Sequence, residues 1–217
     1  MHSRHLHLLD HVGEYNRDQW ISFDAIRTAC AGLPASEIEA LRKSMQPYLD
    51  FRRSLDEFHS EYFCGFCQES CYQTHLSACC GFESIITFFA DQVISWLLSS
   101  PEERAAIFHV LEQPNKTRNC VFLGREGCLW HVRPISCAMF FCEQAKAAVF
   151  GEKPEGEVLR RAFRRQEKDY TWPTKPVLFD TLEAYFLELG VESPHLYCHR
   201  SPGLLRLKAR AGLVSKK

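Results

Sequence analysis

No apolar run in these 217 residues is long enough to cross a membrane. The most apolar stretch, Ile85 to Leu98, is interrupted by Asp91-Gln92 and falls short of the roughly 20 residues a spanning helix needs, so it reads as a buried helix. Charge of one sign is lacking too. A formal net charge of -1 gives no general electrostatic reason to expect a nucleic-acid partner. The N-terminus, Met1 to Asp10, has no continuous apolar stretch followed by a small-residue cleavage site, which excludes a secretory signal and places the chain in the cytoplasm as an expectation. Also missing are H-E-x-x-H, H-x-E with P-C-x-x-C, and G-x4-G-K-[ST], so no zinc protease, zinc deaminase or phosphate-loop chemistry is announced. There is no ferredoxin C-x2-C-x2-C-x3-C-P run, and no internal repeat of fold-defining period.

Cysteine is the one residue in abundance, at eleven. In a reducing compartment a disulfide framework is the weaker reading, and an odd count would leave one thiol over. Nine of the eleven fall in two bursts: Cys64, Cys67, Cys71, Cys79 and Cys80, then Cys120, Cys128, Cys137 and Cys142. Burial of small apolar thiols gives no reason for such clustering. Thiolates gathered in one place repel one another unless a cation neutralises them. Cys64-Gly65-Phe66-Cys67 has the spacing that directs two sulfurs at one metal, with Gly65 expected to ease the turn. Cys30 and Cys198 stand apart and read as small buried hydrophobes.

The expected fold is mainly α: one metal-stapled helical domain with a small β-hairpin between the cysteine clusters. Residues 1–61 form a helical scaffold, 62–143 the cysteine core, and 144–217 further helices and a basic tail, as one continuous unit. Helices are expected over Asp18 to Cys30 and, after the Gly32-Leu33-Pro34 break, in a run N-capped by Ser36 with Leu41, Met45, Leu49 and Leu55 on its apolar stripe. Ser100-Pro101-Glu102-Glu103 starts another that runs to about Gln113. Glu155 to Lys168 and Leu178 to Leu189 follow, the latter ended by Gly190, with Trp172 to Pro176 as a loop between them. Cys120 to Trp130 has the pattern of a hairpin; pairing centred near Gly124 would set Cys120 opposite Cys128.

The run Cys120-Val121-Phe122-Leu123, then Gly127-Cys128-Leu129-Trp130-His131-Val132-Arg133-Pro134-Ile135-Ser136-Cys137, then Phe140-Phe141-Cys142, resembles the second half of the YkgJ-type cysteine-cluster family. That family is described as a zinc- or iron-chelating domain, with a C-x-x-C and an adjacent C-C pair ahead of this block. The resemblance covers about residues 62 to 143. It implies eight ligand positions: Cys64, Cys67, Cys79, Cys80, Cys120, Cys128, Cys137 and Cys142. Eleven residues separate Cys67 from Cys79, and the extra Cys71 among them is a possible substitute ligand. The implied function is a metal-binding protein whose zinc or iron–sulfur centre has a structural, sensing or storage role. The alternative is a redox or group-transfer enzyme using the same centre, since related clusters occur in proteins linked to flagellin lysine methylation.

Arg133 is the candidate for hydrogen bonding to sulfur, because four thiolates on a divalent metal carry net negative charge that a guanidinium offsets. Pro134 would hold the turn that delivers Cys137. His75, His109, His131 and His199 are candidate donors to a mixed site, each weaker than the thiols. His7 and His11, one helical turn apart, have the spacing for adventitious metal binding. Arg160, Arg161, Arg164 and Arg165 form basic i,i+4 pairs; interleaved with Glu157 and Glu167 they read as a solvated helix face rather than a nucleic-acid grip.

Overall fold

The computed structural model describes residues 11–73, 80–81, 86–115, 118–125, 127–171, 177–197, 205–206, 209–210 and 212, without the side chains of Cys71 and Tyr72. The protein is mainly helical with one two-stranded antiparallel hairpin. In chain order the elements are α1 (Glu14–Ala31), α2 (Ala35–Tyr62), the single turn α3 (Cys64–Cys67) continued by a π-helical turn (Gln68–Tyr72), α4 (Phe89–Leu98), α5 (Pro101–Leu111), β1 (Leu123–Gly124), β2 (Gly127–Cys128), α6 (Ile135–Ala138), α7 (Glu143–Glu152), α8 (Pro154–Thr171) and α9 (Leu178–Glu188). None of these helices is long and apolar enough to cross a membrane.

α4 is the central element. Phe89, Ala90, Val93, Ile94, Trp96 and Leu97 are all buried, and α1, α2 and α9 pack around it. A helix apolar on every side belongs in the middle of a bundle. Asp91 and Gln92, which interrupt the apolar run in sequence, do not end the helix but are buried within it. Asp91 Oδ2 accepts the Phe88 N–H at 3.1 Å, which caps the helix and starts it at Phe89 rather than near Ile85. Gln92 Nε2 donates to Gln19 Oε1 at 2.8 Å.

Other boundaries follow local chemistry. α2 begins at Ala35: Pro34 occupies the cap position, its carbonyl accepting from Glu37 and Ile38, so Ser36 lies inside the first turn and is not the N-cap. α5 starts as its sequence asks, with Ser100 Oγ accepting the Glu103 N–H at 3.2 Å and Glu103 Oε2 accepting the Ser100 N–H at 2.7 Å. Gly190, at φ +78, follows α9. Gly156 lets α8 approach α2 closely, since a Cβ there would meet the Tyr62 ring at 2.8 Å. The segment from Trp172 to Pro176 and most of the basic tail lie outside the described residues.

Aromatic residues tie the C-terminal end of α2 to the segments after the hairpin. Phe63 and Phe141 sit 4.4 Å apart between ring centroids, His59 stacks on Phe141 at 4.6 Å, and Phe58 meets Phe163 of α8 at 5.4 Å. This cluster joins the start of the first cysteine burst to the end of the second.

Behind α4, a polar network holds the chain after α9 against α1. His195 Nδ1 lies 2.7 Å from Ser22 Oγ, Gln19 Nε2 lies 3.2 Å from His195 Nε2, and Ser22 Oγ donates to the Asp18 carbonyl at 3.0 Å. This pattern assigns the neutral ring with its proton on Nδ1, leaving no acceptor for a second proton on Nε2. Burial pushes the His195 pKa down to about 4, against about 6.5 when unfolded. Between those values the unfolded chain takes up a proton that the folded one refuses, so stability falls as pH drops from 6.5 toward 4. Comparing the protein with its His195→Asn variant isolates this effect from opposing carboxylates. By urea unfolding, the wild type should lose about 3 kcal/mol relative to the variant between pH 7 and pH 4. A difference that does not change with pH would contradict it.

Candidate metal centre

Seven of the eight candidate ligands, Cys64, Cys67, Cys80, Cys120, Cys128, Cys137 and Cys142, line one cavity of about 440 Å³. They reach it from separate pieces of chain. Cys64 and Cys67 sit on α3, three residues apart on one helical turn that directly continues α2. Gly65 therefore has ordinary helical backbone, and its conformational freedom is not what shapes this C-x-x-C. Cys80 arrives through a backbone contact between the two bursts: the Cys120 N–H donates to the Cys80 carbonyl at 2.5 Å, beside a bridge pairing Gly81 with Asn119. Cys79 lies outside the described residues, and Cys71 is on the π-helical turn after α3.

The hairpin delivers Cys128 in a register different from the expected one. Leu123 pairs with Cys128 and Gly124 with Gly127, so Cys120 and Cys128 are not opposite each other. The centre of pairing therefore lies past Gly124, and Gly127 permits it by adopting φ +125. Cys120 stands just before β1 and Cys128 ends β2, so both still face the cavity.

The backbone around these sulfurs supplies donors. Cys120 accepts the Phe122 N–H and Cys128 accepts the Trp130 N–H, the same two-residue step in each case. Cys142 caps α7, with its sulfur accepting the Ala145 N–H at 3.4 Å. The Phe122 and Trp130 N–H groups favour the thiolate form of the sulfurs that accept them. Pro134 sets the start of α6, which carries Cys137; its carbonyl accepts the Ala138 N–H at 3.0 Å. Ser136 Oγ donates to the Ile86 carbonyl and fastens this short helix to the chain ahead of α4.

Burial works the other way. It pushes the Cys120 thiol up to about 12 and Cys137 to about 11, and the neighbouring thiols add to both shifts. Cys128, exposed at the cavity rim, is also raised by the chain packed around its sulfur, with the Trp130 N–H, Arg133 and Arg52 opposing that rise. Without a cation, Cys120 and Cys137 therefore keep their protons at neutral pH. A bound cation would displace them.

Arg133 lines the cavity, and its Nη2 pairs with Asp56 Oδ1 at 2.9 Å. Among the histidine candidates, His131 Nδ1 lies 3.1 Å from Glu103, His109 is on α5 and lines a second cavity that Cys120 also borders, His11 contacts the Glu112 carbonyl, and His75, His199 and His7 fall outside the described residues. His59 lines the cavity instead. Its Nε2 donates to the Ala138 carbonyl at 2.7 Å, and burial lowers its pKa. Cys30, on α1, is not among the lining residues, and burial raises its thiol to about 11; Cys198 lies outside the described residues. Sequence reasoning missed His59 and Arg52. The signal for Arg52 was a charge placed on the apolar seam of α2 between Tyr48 and Leu55.

Among the described residues no three His, Cys, Asp or Glu side chains sit close enough together to hold a metal ion as placed. The donor set fits zinc or an iron–sulfur cluster in kind, since seven thiols surround one space and several already accept N–H groups. Compared with known protein families, curated proteins and solved structures, the chain finds no match.

The two glycines separate what the site requires from what it tolerates. Gly127→Ala forces a side chain onto φ +125 and should cost about 1–3 kcal/mol in urea unfolding. Gly65→Ala, in a helical turn with open space around a Cβ, should be neutral or stabilising by up to about 1 kcal/mol. The reverse order would refute the hairpin register.

Proposed function

We propose that this chain is a metal-binding cysteine-cluster protein with a zinc or iron–sulfur centre of structural, sensing or storage role. Its ligands are drawn from Cys64, Cys67, Cys79, Cys80, Cys120, Cys128, Cys137 and Cys142. The observation that carries the reading is the meeting of seven of these thiols, from both bursts, on one cavity. When bound, the metal supplies a cross-link between segments distant in sequence, and binding becomes folding free energy. The residues supply thiolates, N–H donors to sulfur, and a fixed approach through α3, the hairpin and α6. A lone tetrahedral zinc takes four sulfurs at about 2.3 Å, so seven thiols around about 440 Å³ favour more than one metal per chain. The same Cys120 to Cys142 block supports placing the chain in the YkgJ-type family.

The alternative, a redox or group-transfer enzyme, is favoured by the exposed Phe140 at the cavity wall, where a substrate could approach the thiols.

Elemental analysis and a visible spectrum of protein purified without air test the proposal. At least one zinc or iron per chain is expected, and Cys128→Ser combined with Cys137→Ser should lower both metal content and thermal stability. Less than one metal per chain, with stability unchanged in that variant, would overturn it. Brown colour bleached by oxygen selects an iron–sulfur centre and strengthens the enzymatic alternative; a colourless protein with stoichiometric zinc selects the structural role.

A further inference from the structure

Arg52 is only 3% exposed, on the apolar face of α2. Its Nη1 donates to the Arg133 carbonyl at 2.6 Å and to Tyr48 Oη at 3.1 Å, both neutral acceptors. Its Nε has no hydrogen-bond partner among the described residues. The carboxylates nearby are engaged elsewhere: Asp56 pairs with Arg133, and the two oxygens of Asp91 accept the Phe88 and Ile135 N–H groups. Burial opposes the guanidinium charge while Asp91 and Asp56 favour it from a distance, its hydrogen bonds go to neutral acceptors, and an apolar side chain of similar volume would pack there without the desolvation cost.

We infer that Arg52 is a positioning residue for the thiolate centre: it holds the Arg133-Pro134 corner that leads to Cys137, and its buried charge matches the negative charge of the metal-bound thiolates. The inference rests on the metal-binding reading proposed above. Four thiolates on a divalent metal leave a net charge of about -2, which would add to the pull that Asp91 and Asp56 exert on Arg52 across space. Arg133 lines the cavity wall and Arg52 stands behind it, joined through the Arg133 carbonyl. Both guanidinium charges act on Cys128 in the direction that favours its thiolate. Arg133 is more exposed and shares its charge with Asp56; Arg52 supplies the charge that water does not screen.

The test uses the full chain stripped of metal under reducing conditions and titrated with Co2+. Thiolate-to-cobalt absorption reports binding, and competition with a chelator gives the affinity. Arg52→Met should weaken Co2+ binding by about 10- to 100-fold, with Arg52→Lys recovering a clear part of the loss. Urea unfolding of the metal-free forms separates packing from charge. The fold-change in Co2+ affinity must exceed the fold-change in the metal-free folding constant. If Arg52→Met does not fold, Arg52→Gln, which keeps amide donors and loses the charge, carries the same comparison. Unchanged affinity, or a lysine variant no better than methionine or glutamine, overturns the inference while leaving the metal reading standing. Absence of the cobalt–thiolate band in the wild type overturns both.

Discussion

The Asp91 carboxylate joins the centre of this fold to its cavity. One oxygen starts α4 by accepting the Phe88 N–H; the other accepts the Ile135 N–H at 3.0 Å, the first residue of the short helix that carries Cys137. Burial pushes this carboxyl up to about 7, against the pull of its two N–H donors and of Arg52. α4 is the element around which α1, α2 and α9 pack, so the position of Cys137 is inherited from the core rather than from its own loop. Arg52 reinforces the same corner from α2 through the Arg133 carbonyl. Two buried polar side chains thus hold the local geometry that a four-residue helix could not hold alone.

Around the thiols two tendencies oppose each other. N–H groups of Phe122, Trp130 and Ala145 point at sulfur, and two guanidinium charges act on Cys128. Burial and the neighbouring thiols hold the protons on Cys120 and Cys137. A bound cation would resolve the opposition, because it would remove the repulsion while keeping the hydrogen bonds. The aromatic contacts of His59, Phe63 and Phe141 give one side of the cavity a rigid wall, fixing where α3 and the start of α7 stand relative to each other.

Much of this was legible in sequence. Helix signals with local causes, such as the Ser100 and Glu103 pair or the glycine after α9, appear where the residues place them. The mainly helical architecture with one small hairpin, which lies inside the second cysteine burst rather than between the two, also follows from periodicity and turn residues. What escaped reading depends on contacts across the chain. Asp91 and Gln92 look like interruptions until Ile135 and Gln19 are beside them. The hairpin register turns on a positive φ at Gly127, which two glycines flanking a short loop leave undecided. Gly65 suggested a tight turn, but α2 extends far enough for α3 to continue it as helix. Arg52 and His59 carry no spacing signature; only the three-dimensional path of α2 brings them to the thiols.

The backbone bond between Cys120 and Cys80 has a kinetic meaning. It closes a loop that contains all of α4 and α5, so the two bursts face each other only after the chain between them has condensed around the core. Loop closure of this length contributes an entropic barrier before any thiol-to-metal bond can reward it. Helices α1 and α2 can form from local interactions, whereas the described sulfurs of the two bursts meet only when that loop closes. A metal captured early by the Cys64-x-x-Cys67 turn alone would be held by two sulfurs and remain exchangeable. On the metal-binding reading proposed above, retention would begin when the second burst arrives, and completion of folding would be the step that commits the chain to a metal.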